Sequence, residues 1–275
     1  MSDLIKISSR LTLKDFLSEI WEHRNLILVF AWRDLRVRYA QTALGLLWAM
    51  VQPLFTIFVL WLVFGRFLKV DTGGVPALSF VASGVALWSY FSFVAQQSAQ
   101  SIIQSQAMIK KIYFPKIILP ISKALLGLVD LVVVVLILLA VLFFNGAEVS
   151  KGIFIMPLIL LSLLLFSLGI GIWISALSIE YRDLQHIFPF IIQLGIYITP
   201  VAYPSSFAQS MLPDWATWLY YLNPVAGLID LLRYSIFDNV ALSEYWFYSL
   251  VSGFLIFGTG VVYFKYTQKK IADLI

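Results

Sequence analysis

Cysteine is absent from the 275 residues, which excludes disulfides, thiolate metal sites and a cysteine nucleophile. Histidine occurs only at His23 and His186, and no His/Asp/Glu cluster has the spacing of metal ligands. Charge is scarce as well: 12% of residues are Asp, Glu, Lys or Arg, about half the share of a soluble domain. No G-x-x-x-x-G-K-[ST] stretch is present to cradle nucleotide phosphates. The first 25 residues carry Lys6, Arg10, Lys14 and Arg24 among several acids, with no apolar core. The expectation is therefore no cleavable signal peptide and an uncleaved first span.

What fills the chain is apolar. Hydrophobic residues make up 61% and the mean hydropathy is +0.90, the composition of an all-α integral membrane protein. Six apolar segments follow one another, at about 45–65, 77–95, 117–144, 153–179, 186–203 and 246–264. Each approaches the roughly 20 residues that cross hydrocarbon. The fifth is interrupted by Pro189 and Pro200 and followed by Pro204. Residues 204–240 are too polar for a simple span and too apolar for a free loop, which predicts short re-entrant helices.

Before the first span, Leu13, Phe16, Leu17, Ile20 and Trp21 share one helix face, with Lys14, Asp15, Ser18, Glu19 and Glu22 opposite. That is an amphipathic interface helix. Thr12 with Asp15 predicts its capping box, and Leu11 with Phe16 its hydrophobic staple. The domain reading is a cytoplasmic N-terminal segment over 1–44 and a six-span transmembrane domain over 45–275. With that orientation the inside segments hold 15 of the 19 Lys and Arg residues, leaving Arg66, Lys69, Lys151 and Arg233 outside. Both termini are expected in the cytoplasm.

Three arginines, Arg33, Arg36 and Arg38, fall within six positions ahead of the first span, whose inner end carries Trp48. They read as topology determinants on anionic headgroups, or as a charged helix presented to a partner. Asp34 and Arg38 are spaced for a pair along the helix. In the third span Asp130 sits near the middle, where a charge is costly and usually functional. Lys123, seven residues earlier, is expected to snorkel inward. Asp130 reads either as a structural acceptor or as a gating group, and a proton-coupled transporter built on it stays open. Ser167, Gly171 and Ser175 form a small-residue ladder for close helix approach, within the chain or across a dimer. The VASG stretch at 81–84 lacks the first glycine of an intramembrane serine protease motif, and neither histidine is placed to activate Ser83.

The run RDLRVRY with Gly45, Trp48 and Pro53, then KKIYFP ending at Phe114 and Pro115, YRDL at 181–184, ITPVAYP at 198–204 and LNPVAGLIDLLR at 222–233 occur in order at span ends. Together they resemble the membrane subunits of type-2 ABC exporters, the O-antigen and capsular polysaccharide export permeases, over nearly the whole chain. The resemblance implies a non-catalytic permease subunit of a bacterial inner membrane, working as a homodimer on a lipid-linked polysaccharide. Two separate ATPase subunits would hold ATP and Mg2+; membrane lipids are expected partners and nucleic acid is not. It implies a cytoplasmic coupling helix at about 98–114, with Ser98, Ile102, Ile103, Ile109, Lys110, Lys111 and Phe114 as candidate ATPase contacts. Arg33, Asp34, Arg36, Arg38, Tyr39 and Trp48 would form the interface helix and channel entrance.

Glycans offer hydroxyls and apolar C–H faces, so a path for them wants aromatic surfaces without strong fixed charge. Phe55, Phe58 and Trp61 of the first span and Phe188, Tyr197 and Tyr203 of the fifth are the candidates; lipid-facing or core packing is the other reading. The resemblance puts these two spans along the channel. Residues 204–240, with Asn223, Pro224, Asp230 and Arg233, would be the outer gate, with Asp230 and Arg233 as a stabilising pair. Export of a drug or small lipid is the remaining alternative within the same class.

Overall fold

The computed structural model describes residues 13–40, 45–147 and 149–274. The regular elements among them are all helical. In chain order they are α1 (Leu13–Glu22), α2 (Arg24–Tyr39), α3 (Trp48–Leu60), α4 (Ala77–Gln104), α5 (Gln106–Ile109), α6 (Ile118–Phe144), α7 (Met156–Glu180), α8 (Leu184–Ile198), α9 (Ser205–Met211), α10 (Thr217–Tyr220), α11 (Pro224–Ile236) and α12 (Trp246–Leu274). A π-helical turn over Trp61–Phe67 prolongs α3, and a 3-10 turn over Lys151–Ile155 leads into α7. The expected cap at Thr12 and staple at Leu11 lie outside the described residues, as do Lys6 and Arg10.

Among the described residues five helices are long and apolar enough to cross a membrane: Trp48–Phe67, Ala77–Gln104, Ile118–Phe144, Lys151–Glu180 and Trp246–Gln268. The expected fifth span is instead a 15-residue helix, α8, about 22 Å long against a hydrocarbon core of about 30 Å. It stops where Thr199 turns extended ahead of Pro200, since the residue before proline is pushed out of the helical region.

α4 is the centre of the bundle, packed by α3, α6, α7, α8 and α11. Small residues make these approaches close. A β-carbon on Gly171 of α7 would fall 2.3 Å from Ser98 of α4, so the Ser167, Gly171, Ser175 ladder is spent inside the chain. On another face of α7, Gly169 lies against the Phe257 backbone of α12, and Trp173 stacks on Tyr263 at 4.5 Å. α6 ends in a Schellman arrangement. Gly146 takes the left-handed conformation (φ 61°), while the Ala147 amide donates to the Leu142 carbonyl at 3.1 Å.

α11 begins as its sequence dictates. Asn223 caps it by accepting from the Val225 amide at 3.1 Å, and Pro224 fills the first turn, where no amide is needed.

Candidate translocation path and coupling face

Two ion pairs fasten α2 to the first half of α6. Arg38 donates from Nη1 to Asp130 Oδ2 at 2.5 Å, and Lys123 Nζ lies 2.8 Å from Asp34 Oδ2. Asp34 also meets Arg33 at 2.7 Å. The expected Asp34–Arg38 pair does not form, because each residue takes a partner on α6 instead. Lys123 does not snorkel away; it is buried against Asp34. Asp130 is likewise committed, and Arg38 lies over Phe93 at 4.4 Å as well. No residue of α6 from Ile118 to Asp130 is exposed, whereas its large exposed apolar side chains begin at Val132 and continue through Leu136, Leu139 and Phe143. Asp130 therefore marks a boundary along α6: below it the helix is jacketed by protein, above it one face is bare.

The outward face of α2 carries Leu28, Val29, Trp32, Arg33, Arg36 and Val37. Arg36 lies over the Trp32 ring at 5.1 Å. On α1, Phe16 is buried while Leu17 and Trp21 are exposed, so the amphipathic face splits between the bundle and the outside.

The segment joining α4 to α6 is built differently from expectation. Ser98 and Ile102 belong to α4 and are fully buried, with Ser98 donating to the Pro120 carbonyl at 3.0 Å. Phe114 is buried too, edge-on to Phe30 of α2 at 5.4 Å. Ile103 and Ile109 are half-buried. The presented surface is Lys110 and Lys111 with Ile112, 60% exposed, and Tyr113, 85% exposed. Three contacts tie this segment to the N-terminal helices: Phe30 with Phe114, Tyr113 donating to Glu19 at 3.2 Å, and Arg33 Nη1 donating to Met108 Sδ at 3.5 Å. Lys116 donates to the Gln268 carbonyl of α12 at 3.0 Å, so four helices meet at this end of α4.

At the other end of α4, Arg233 of α11 organises residues 199–203. Its fully buried guanidinium donates to the carbonyls of Pro200 and Val201 at 2.7 Å each, to Phe80 at 3.2 Å and Tyr203 at 3.4 Å, and to Ser83 Oγ at 3.2 Å. It also stacks on the Phe80 ring at 3.5 Å. The expected Asp230–Arg233 pair is not made: Asp230 accepts from the Tyr221 hydroxyl at 2.7 Å. A planar cation with five donors suits a turn whose carbonyls point inward. Gly84 lets that turn sit on α4, since a β-carbon there would lie 2.3 Å from the Val201 oxygen. Asn223 adds a hydrogen bond to Thr199 at 2.7 Å.

Phe55, Phe58 and Tyr197 are exposed, and Trp61 is half-buried 6.2 Å from Phe58. Tyr203 donates to the carbonyls of Tyr197 and Ile198 and lies 6.3 Å from Phe64, which brings the ends of α3 and α8 together. Phe188 departs from expectation: it is buried in the core. Trp48 is exposed at the start of α3. Sequence reasoning missed Glu19, Phe30, Met108, Tyr113, Phe80 and Ser83, whose roles come from partners 75 or more positions away.

Residues 25–237 match a family model described as ABC-2 type transporter. The chain is 27% identical over 253 residues to an O-antigen export system permease protein RfbA of Klebsiella pneumoniae, covering 91% of this chain and 95% of that protein. It is 28% identical over 211 residues to the protein of the same name from Myxococcus xanthus, covering 77% and 80%. A polysialic acid transport protein KpsM of Escherichia coli is 22% identical over 229 residues, covering 81% and 87%.

Proposed function

The chain belongs to the ABC-2 type transporter family, and on that premise we propose that it is the membrane permease subunit of an ATP-driven exporter of a lipid-linked polysaccharide. The observation that carries this reading is the similarity to O-antigen export permeases along nine-tenths of the chain. In this reading α8 with residues 199–203 completes a six-span domain with both termini in the cytoplasm, and two copies enclose the path. The uncharged aromatic faces of α3 and α8 suit sugar C–H faces.

ATP and Mg2+ belong to a separate ATPase subunit, since this sequence holds no phosphate cradle. That subunit docks on Lys110, Lys111, Ile112 and Tyr113. Its movement reaches α1 through Glu19, α2 through Phe30 and Arg33, and α12 through Lys116. The α2–α6 ion pairs then carry it along the chain. Nothing in this chain makes or breaks a covalent bond; its residues position, couple and seal.

The test is gentle extraction of the tagged chain from its own host membranes. A stoichiometric partner with a phosphate-binding loop and vanadate-sensitive ATP hydrolysis is expected. Recovery of an active transporter with no ATPase sinks the proposal.

A further inference from the structure

A groove of about 450 Å³ opens on the flank of the bundle between α3 and α6, where the start of α4 also reaches it. Ile137 is buried at its floor, and Met50 and Leu54 of α3 face Leu136 and Phe144 of α6 as exposed walls. Along α6 it runs from Val133, one turn beyond the Arg38–Asp130 pair, to Asn145. That distance is about 18 Å at 1.5 Å per residue, close to the depth of one leaflet, about half of a 30 Å hydrocarbon core. Volume over length leaves a cross-section of about 25 Å², too narrow for a helix about 10 Å across. One extended hydrocarbon chain fits: at roughly 30 Å³ for each water-sized group, the groove takes about fifteen methylenes.

Apolar walls alone select nothing in a bilayer, because lipid tails are as apolar as leucine. A preference has to come from the end of the groove that meets the headgroups. Trp61 stands seven residues, two turns, after Leu54 and continues the same wall of α3. The Arg66 guanidinium lies over its ring at 5.2 Å. Gly65, next to Arg66, packs so closely on α4 that a β-carbon would fall 3.0 Å from Ala77, the neighbour of the groove residue Leu78. Arg66 is therefore set at the mouth of the groove near Asn145, exposed, and with no carboxylate partner among the described residues. Lys69 and Asp71, the other charges of that connection, are exposed and of opposite sign. Tryptophan and a snorkelling arginine at a span end mark the membrane interface.

We propose that this groove, with Arg66 at its mouth, is a binding site for an anionic phospholipid of the bilayer. One acyl chain lies along α6 between Phe144 and Val133, and the phosphate meets Arg66. The lipid fills the space between α3 and α6 and holds the first span against the bundle. The site depends on the chain spanning a bilayer and not on what the chain exports.

The experiment places the intact chain, purified with its partners, in phosphatidylcholine nanodiscs. These carry a trace of phosphatidylglycerol with a photoactivatable acyl chain, or of phosphatidylcholine with the same chain, and cross-links are mapped by residue. Phosphatidylglycerol is expected to label residues 133–145 about fivefold more than phosphatidylcholine, the worth of one basic side chain at a membrane surface. The exposed face of α12 at Val251, Phe254 and Leu255 should show no preference. Arg66→Gln, at an exposed position, should remove the preference while phosphatidylcholine labelling stays as it was. Ala140→Phe puts a ring into the groove and should lower labelling of 133–145 by both probes. Equal labelling by the two probes in the wild type, a preference that survives Arg66→Gln, or labelling that Ala140→Phe does not reduce overturns the site and leaves the groove to bulk hydrocarbon. Labelling of 133–145 by neither probe, with cross-links between two copies in its place, overturns it in favour of self-association.

Discussion

Arg38 and Asp130, 92 positions apart, meet at 2.5 Å where the end of α2 reaches the point at which α6 loses its protein jacket. A carboxylate among apolar residues thereby acquires a fixed cation, and its presence no longer calls for a travelling proton.

Truncating either partner strands the other in a partly buried site. Arg38→Ala and Asp130→Ala are each expected to destabilise the protein, with a double-mutant coupling energy of about 1–3 kcal/mol, above that of an exposed pair. Thermal unfolding in lipid–detergent micelles gives the value. Asp130→Asn should keep measurable export; complete loss of transport at unchanged stability would restore an ion-coupled mechanism.

Arg233 and Asp230 make separate contacts, so their variants should part company. Arg233→Met removes charge-assisted bonds to several buried carbonyls and is expected to cost at least about 3 kcal/mol. Asp230→Asn still offers an oxygen to Tyr221 and should cost less than about 1.5 kcal/mol. Equal losses in melting experiments would mean the two residues act as a pair.

Gly84→Ala forces the Val201 carbonyl off α4, because the new carbon has no room. Loss of roughly 1–3 kcal/mol is expected, as for overpacking generally. Gly258 has nothing within 4 Å of a β-carbon, so Gly258→Ala serves as the near-neutral comparison. A stable Gly84→Ala protein with normal export removes the close approach from the argument.

The coupling face is tested by charge reversal. Lys110→Glu with Lys111→Glu, and separately Tyr113→Ala, should reduce the ATPase recovered per permease about tenfold, the effect of losing roughly 1.4 kcal/mol at an interface. Ser98→Ala, which changes only a buried bond to Pro120, should leave that stoichiometry alone. The reverse pattern would return the contact to α4.

Local signals were readable where local physics decides. Pro189, Pro200 and Pro204 marked the fifth segment as interrupted, though the expected span ran on to 203 where α8 stops at Ile198. The interface helix was legible from its periodicity over 13–22. Pairings were not. Spacing along one helix suggested Asp34 with Arg38 and Asp230 with Arg233, yet in a bundle whose charges are few, each finds its partner on another helix or on backbone carbonyls. The length of α4 misled in the same way: apolarity fades after residue 95, but the helix continues to Gln104 because α6 and α7 cover it. Ser98 and Ile102 thus moved from the expected docking surface into the core.

The π-helical turn over Trp61–Phe67 closes with the Leu68 amide reaching the Val63 carbonyl at 2.9 Å. Bonds spanning five residues accommodate one more residue than the ordinary α-helical closure. This stretch of the chain is therefore elastic in length: shedding a single residue between Trp61 and Phe67 tightens the turn to an α-helix while the aromatic steps Phe55 and Phe58 keep their bearings. Homologous chains that differ by one residue here can preserve the same first-span face, and an alignment gap at this point is a change of winding before it is a change of path.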